Sequence, residues 1–499
     1  MIFTIIKAAI VSAVASLAVI AAFAVLSGPA LSPSRITAVI QQAFARGDLP
    51  WSERRDEDFF TECAMLQMQL LRPESAWQQA IDTKFRMTAG EHPCDTLRIS
   101  VSGSPEQKVT LAPVQSYYHY PYGARHIEAF VLSALSYRRA ARLYKILSYG
   151  SLALLLAAMI RRDRSTALML APIPIVLALA FALHKFGGNL AHAPGYILGW
   201  LALAGFVAAK PWFQPFPRRI AFFVAMGFIT IYTDLLAGTI PTLLAMTIVL
   251  NHFFYVAERR DRYLARTAAN VLVIVACFLA AWAILNGLRL ETLVAEGITD
   301  QGRSIFGMYR HDLAARTGSD VGIGAPLTYA QTMVHLLTAR SQVTPGGEAV
   351  ASWILGNGLI CWMFAGWAWL LIGARDRWEA LPPLTDMLVL LIASLGVMAW
   401  YWLFLQHTYV HVLFMVRLLA LPSALGYSAV LLMLRGQGAI RRGPTALRDS
   451  MQWKSVGGFK FRRKHQSRFQ HVPRWPLCPA GRRKPRRALR SCGACAAVS

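Results

Sequence analysis

The sequence predicts an all-α fold: a polytopic transmembrane helical bundle of about ten spans with a large extracytoplasmic loop domain. Three observations lead there. Hydrophobic residues make up 55% of the 499-residue chain and charged residues only 15%, against roughly 25% charged in globular chains. The apolar residues gather into long runs, several of them near the about 20 residues a helix needs to cross hydrocarbon. Lys and Arg collect in alternate short loops between these runs, as they do where basic connectors stay on the cytoplasmic side.

The first run, residues 5–26, exceeds the 7–15 residues or so of a cleavable signal core. It reads as a retained signal anchor, residues 1–27, with cleavage near Ser27–Ala30 as the alternative. Residues 28–144 are largely polar and form the extracytoplasmic loop domain. Runs at 145–160, 166–184, 194–209, 220–237, 241–257 and 268–287 supply spans two to seven, a bundle over 145–287. Residues 288–349 form a second extracytoplasmic loop, and runs at 350–373, 385–405 and 412–434 supply spans eight to ten, over 350–434.

The loops check this count. Arg161, Arg162 and Arg164, then Lys210, Arg218 and Arg219, then Arg259, Arg260, Arg262 and Arg266, then Arg375 and Arg377, then Arg435, Arg441 and Arg442 fall in every second connector. The short connectors 187–194, 237–239 and 406–411 carry no Lys or Arg. The alternation puts both termini in the cytoplasm and the chain, as a multi-pass protein, in a bacterial inner membrane.

The net charge of +25 therefore reports topology rather than nucleic-acid binding, and 13 Lys and Arg with no Asp or Glu lie from Met451 onward. Residues 435–499 read as a basic, disordered cytoplasmic tail, with attraction to anionic lipid a further possibility. Its Cys492 and Cys495 lack a second pair to complete a zinc site. Cys277 and Cys361 lie in apolar runs and pack as small hydrophobes. Cys63 and Cys94 share the first loop, where an oxidising compartment favours a disulfide; two buried thiols are the alternative.

Within the first loop, residues 59–71 and 127–143 have helical spacing. The second stretch sets Phe130, Leu132, Leu135 and Leu143 against Arg138, Arg139 and Arg142. Such a helix either lies on the membrane surface or packs on its own loop domain.

Several stretches carry candidate chemistry. Residues 53–58 read Glu-Arg-Arg-Asp-Glu-Asp. Asp56 and Asp58 can serve as a general base or a cation site, or form a solvated charge run with Asp58 capping the helix that follows. The aromatic stretch from Tyr117 to Tyr122, with Arg125 and His126, suits a sugar, a phosphate or lipid headgroups, and equally an interfacial aromatic belt. The connector from His184 to His192 contains Lys185 and two glycines, which can form an anion nest or a plain hairpin. Asp234 closes the fifth span and is either functional or a structural cap or partner of Lys185. His407 and His411 are spaced to share a helical face, but no acidic or Cys ligand stands near, so no metal site is expected. Arg417 lies inside the last span if that span begins at Val412. There it faces the bundle or snorkels outward, and it can clamp a phosphate. No Walker A, dinucleotide fingerprint, nucleophile elbow or zinc-protease motif is present.

One layout is suggestive. A first span leads into a long outer loop with acids near its start and an amphipathic helix near its end, followed by many spans. Across residues 1–434 this order resembles the GT-C class of membrane glycosyltransferases, which use polyprenyl-phosphate-linked sugars. The resemblance implies that Asp56 or Asp58 is the catalytic base and that Arg417, with His407 or Lys185, holds the lipid phosphate. It implies membrane lipids and a polyprenyl-phosphate-linked sugar as partners, no nucleic acid and no cofactor. A transporter or lipid flippase and a non-catalytic scaffold are the competing expectations.

Overall fold

The computed structural model describes residues 2–27, 33–49, 59–71, 83–86, 92–109, 111–116, 123–233, 238–256, 263–297, 328–339, 348–373, 384–410 and 412–441, with short pieces at 78, 80, 299–300, 303–304, 306–308, 310 and 314. Residues 1–441 make one compact unit, and 442–499 form a second unit that lies outside the described residues.

Seven helices among the described residues are long and apolar enough to cross a membrane: Phe3–Leu26, Tyr137–Arg162, Thr239–Val256, Leu264–Ala295, Ile354–Ile372, Leu384–Leu403 and Val416–Arg435. The chain is an all-α, multi-pass membrane protein. In hydrocarbon a backbone can satisfy its polar groups only within its own helix, which is why apolar runs of this length take that form. The other three apolar runs are also helical. They correspond to the shorter apolar helices Arg164–Ala180 and Ala193–Ala208 and to Phe216–Thr233. The first of these is divided at Ala171, where Pro172 and Pro174 begin a new helix.

The helices used below are α1 (Ile2–Ser27), α2 (Pro33–Ala45), α3 (Phe59–Leu70), α4 (Pro93–Ser102), α5 (Ala124–Ala134), α6 (Tyr137–Arg162), α7 (Arg164–Leu170), α8 (Pro172–Ala180), α9 (Ala193–Ala208), α10 (Phe216–Thr233), α11 (Thr239–Asn251), α12 (Tyr263–Ala295), α13 (Tyr329–Ala339), α14 (Glu348–Gly373), α15 (Leu384–Leu403) and α16 (Ala420–Arg441). In the bundle α9 lies along α6, α10 along α1 and α12, α11 along α15, and α16 along α8, α14 and α15. Trp200, Phe206, Phe223, Phe228 and Phe254 fill the interior. The outside is as apolar as the inside. Phe3, Ile6, Ile10 and Val14 of α1 and Met363, Phe364, Trp367 and Leu371 of α14 are exposed, which lipid permits and water would penalise.

Helices α14 and α16 meet backbone to backbone. A Cβ on Gly426 would collide with the main-chain oxygen of Gly358, and one on Gly358 would strike Ser423. Small residues admit this approach, and three hydrogen bonds cross it: Ser423 Oγ to Leu355 O at 2.9 Å, Tyr427 Oη to Ile354 O at 3.0 Å and Trp362 Nε1 to Pro422 O at 3.0 Å.

The first-loop helices have a core of their own. Ile36 and Ile40 of α2, Phe59 and Leu66 of α3, Leu97 and Val101 of α4 and Leu132 of α5 pack together, and the cluster runs on to Tyr137 and Tyr144 of α6 and Leu190, Ala193 and Ile197 around the start of α9. The stretch 127–143 is therefore not one surface helix. Leu135 and Ser136 are extended and separate α5 from α6. α5 instead packs within the loop helices and against α1, where the Phe130 ring meets Phe23 edge-on at 6.4 Å.

The two ends of the bundle differ. One holds the first-loop helices. The other holds basic connectors, where Asp163 accepts hydrogen bonds from Thr166 Oγ1 at 2.5 Å and Ser165 N at 3.0 Å, and Arg219 Nη1 donates to Asn251 Oδ1 at 3.1 Å. There α11 ends in a π-helical stretch, His252–Val256, whose His252 Nε2 lies 2.6 Å from Asp386 Oδ1 of α15.

Candidate functional site

The site is the floor on which the first-loop helices meet the bundle. Connector 181–196 runs along it. Asn189 Oδ1 accepts from Ala191 N at 2.9 Å and His192 N at 3.1 Å, shaping the entry to α9. Glu62 of α3 reaches across from the loop helices, and its Oε1 accepts from Leu190 N at 2.8 Å.

Beside it α5 brings Arg125, His126 and Glu128, all buried. The His126 ring lies parallel to Tyr232 of α10 at 6.4 Å, and Tyr232 Oη donates to Ala80 O at 3.1 Å. Gly123, at the head of α5, donates its N–H to Tyr232 O at 2.8 Å. A side chain there would overlap the Tyr232 ring, so glycine permits the contact. Gly238, at φ 92°, makes the turn into α11 and lies close against Leu418.

Arg417 stands on the far side of connector 181–196. Helix α15 is followed by two short helical turns, Leu405–Val410 and Val412–Met415, and a 3-10 turn, Val416–Leu419, that carries Arg417. Tyr401 Oη donates to Met415 O at 2.8 Å and closes the hairpin. Arg417 is 1% exposed. Its guanidinium carbon lies 5.3 Å from the Phe181 ring centre, 4.7 Å from Phe186 and 5.4 Å from Tyr196. Three aromatic faces offset part of the cost of a buried cation.

No family model matches the chain, and no curated protein or solved structure does either.

The predicted site residues fall as follows. Asp56, Asp58, Asp234 and His411 lie outside the described residues. Lys185 belongs to the helical turn Leu183–Phe186, and the Phe186 ring of that turn lies 4.7 Å from the Arg417 guanidinium carbon. His407 is half-buried on the turn Leu405–Val410. The next residues of that turn carry Tyr409, on which His335 of α13 stacks at 4.3 Å. Cys63 and Cys94 form a disulfide with Cα atoms 5.0 Å apart, tying α3 to α4. Among the described residues no group of three or more His, Cys, Asp or Glu side chains is placed to hold a metal.

His126 and His192, at the ends of two separate candidate stretches of the sequence, both lie at this floor, buried. Sequence reasoning missed Glu62, Gln69 and Glu128. Gln69 Nε2 donates to Glu128 Oε2 at 2.6 Å. Burial pushes the Glu128 carboxyl well above the usual carboxylate range; the nearby Glu62 adds to the rise and the Gln69 bond opposes it. A carboxyl held above its ordinary range and a cation sunk among rings are tools for moving protons and holding anions.

Proposed function

We propose that this is a ten-span enzyme of a bacterial inner membrane, with both termini cytoplasmic and the first-loop helices outside, and that it transfers a sugar from a polyprenyl-phosphate donor. The observation that carries the reading is Arg417, a cation buried at the end of the bundle on which the loop helices dock. A donor phosphate leaves as an anion, and a fixed guanidinium at that depth stabilises the charge as it develops. Asp56 or Asp58 takes the acceptor's proton. Lys185, Asp234, His407 and His411 complete the binding groups. The orientation is supported by Arg162, Arg219 and Arg435, which belong to connectors at the end away from the loop helices.

The test is transfer from a polyprenyl-phosphate sugar by purified protein, wild type against Asp56→Ala, Asp58→Ala and Arg417→Ala. Transfer by wild type, with loss of at least about 10²-fold in Arg417→Ala and in one Asp variant, is expected for removed charge-stabilising and base groups. Variants that all match wild type sink the assignment. One observation favours a second reading: the buried His252–Asp386 pair at the basic end of the bundle suits proton-coupled transport. Proton-dependent uptake into vesicles, lost in Asp386→Asn, would replace the transferase reading with that one.

A further inference from the structure

We propose that the first turns of α6 bind the phosphate headgroups of anionic phospholipids, in the leaflet next to the first-loop helices. The inference stands independently of the transfer reading and of which side of the membrane that leaflet faces. Arg138, Arg139, Arg142 and Lys145 are all exposed. Their side chains make no hydrogen bond or ion pair among the described residues. The chain does not balance this charge locally. No Asp or Glu lies between Glu128 and Asp163, and Glu128 is buried against the Gln69 amide.

The helix sorts its faces sharply. Arg138, Arg142 and Lys145 stand at i, i+4 and i+7 and so share one face, with Arg139 beside them. The same stripe continues through Tyr149, Ala153, Ala157 and Ile160, all exposed. The opposite side carries Tyr144, Ser148, Leu152, Leu155 and Met159, all buried. α6 thus turns one side to the bundle and the other outward. A row of cations that runs without a break into an exposed apolar row fits a molecule with an anionic head and an apolar tail. A free anion or a nucleic acid would leave the apolar part of the stripe uncovered.

The depth of the row fits the same occupant. α6 has 26 residues, about 39 Å at the helical rise, against about 30 Å of hydrocarbon. Its far end carries Arg161 and Arg162. The uncharged stretch between the two cation groups, residues 146–160, is only about 22 Å long. Both groups are therefore drawn to the hydrocarbon boundary, where their long side chains reach headgroup level. A guanidinium at that level meets phosphate oxygens with paired N–H donors. Tyr149 follows one turn deeper, as aromatic residues do at the interface.

The experiment uses the full chain in phosphatidylcholine nanodiscs containing a small share of photoreactive phosphatidylglycerol. Photoreactive phosphatidylcholine with the same acyl chains is the reference, and labelled positions are located by peptide mass spectrometry. In wild type the anionic lipid should label residues 137–149 at least about tenfold more than the reference, and the excess should shrink as salt is raised. Each cation near an anionic surface favours binding about fivefold. The triple variant Arg138→Gln, Arg142→Gln, Lys145→Gln should therefore lose the excess, while labelling near Arg161 and Arg162 stays as in wild type. Equal labelling by the two lipids in wild type, or an excess that survives in the triple variant, overturns the proposal. Labelling that appears only when Asp56→Asn and Asp58→Asn are introduced also overturns it, and gives the row to the chain's own acids. If the triple variant does not assemble, Arg142→Gln alone carries the test: a fall of about fivefold is expected, and no fall overturns the proposal.

Discussion

The two ends of the bundle handle buried polarity differently. At the basic end three pairs meet at short range: His252 with Asp386 at 2.6 Å, Arg219 with Asn251 at 3.1 Å, Asp163 with Thr166 at 2.5 Å. At the loop end Glu128 lies fully buried with its Oε2 on the Gln69 amide, and the Arg417 guanidinium sits among three aromatic rings. Pairwise matching holds helices in register. Burying an ionisable group costs stability locally, and such costs are often found at functional sites. The comparison teaches that the basic end joins its helices by polar pairs, whereas the loop end sinks ionisable groups among apolar and aromatic side chains.

That contrast can be broken at its strongest point first. Replacing Asp386 with Ala leaves a histidine facing an emptied partner position in a buried site, and unfolding in detergent should become easier by about 3–5 kcal/mol. Pairing it with His252→Phe should recover a good part of the loss. A double variant that is no better than Asp386→Ala would show that the pair is not the source of cohesion. Next comes the disulfide, which closes a loop with a sequence separation of 31. Cys63→Ser should cost about 3–4 kcal/mol by chain entropy, and should open the first loop to protease while the bundle helices stay protected. Equal cleavage in both regions would erase the distinction between the ends. The smallest effect belongs to Arg218, whose guanidinium carbon lies 3.9 Å from the Trp212 ring centre on a mostly exposed indole. Arg218→Ala should cost about 0.5–1 kcal/mol in a chemical melt.

Hydropathy made the helices legible, because a run of apolar residues has one outcome in lipid. The Cys63–Cys94 bond was legible too, since two cysteines in one outer loop have few other options. The finer partition was not. Leu135 and Ser136 continue an apolar-basic pattern that looks helical, yet the backbone is extended there so that α5 can pack on α2, α3 and α1. Glu62 sits among Phe59, Phe60, Cys63 and Leu66 and reads as the polar side of a short helix. Its partner Leu190 N is 128 residues away, and no local signal reports so distant a bond. Glu128 looks like one polar residue on an amphipathic face. The available hint was its place directly after Arg125 and His126, just ahead of a span. Arg417 was visible as a charge inside an apolar run, but the rings around it come from residues 181–196 and emerge only from the fold.

The glycine crossing of α14 and α16 has a mechanical consequence. With Gly358 and Gly426 at touching main chains, no acyl chain can wedge between those two helices, and their three cross-bonds resist sliding. They travel as a single strut. Sliding or splaying of the bundle would have to occur along another seam, because this crossing holds its two helices together.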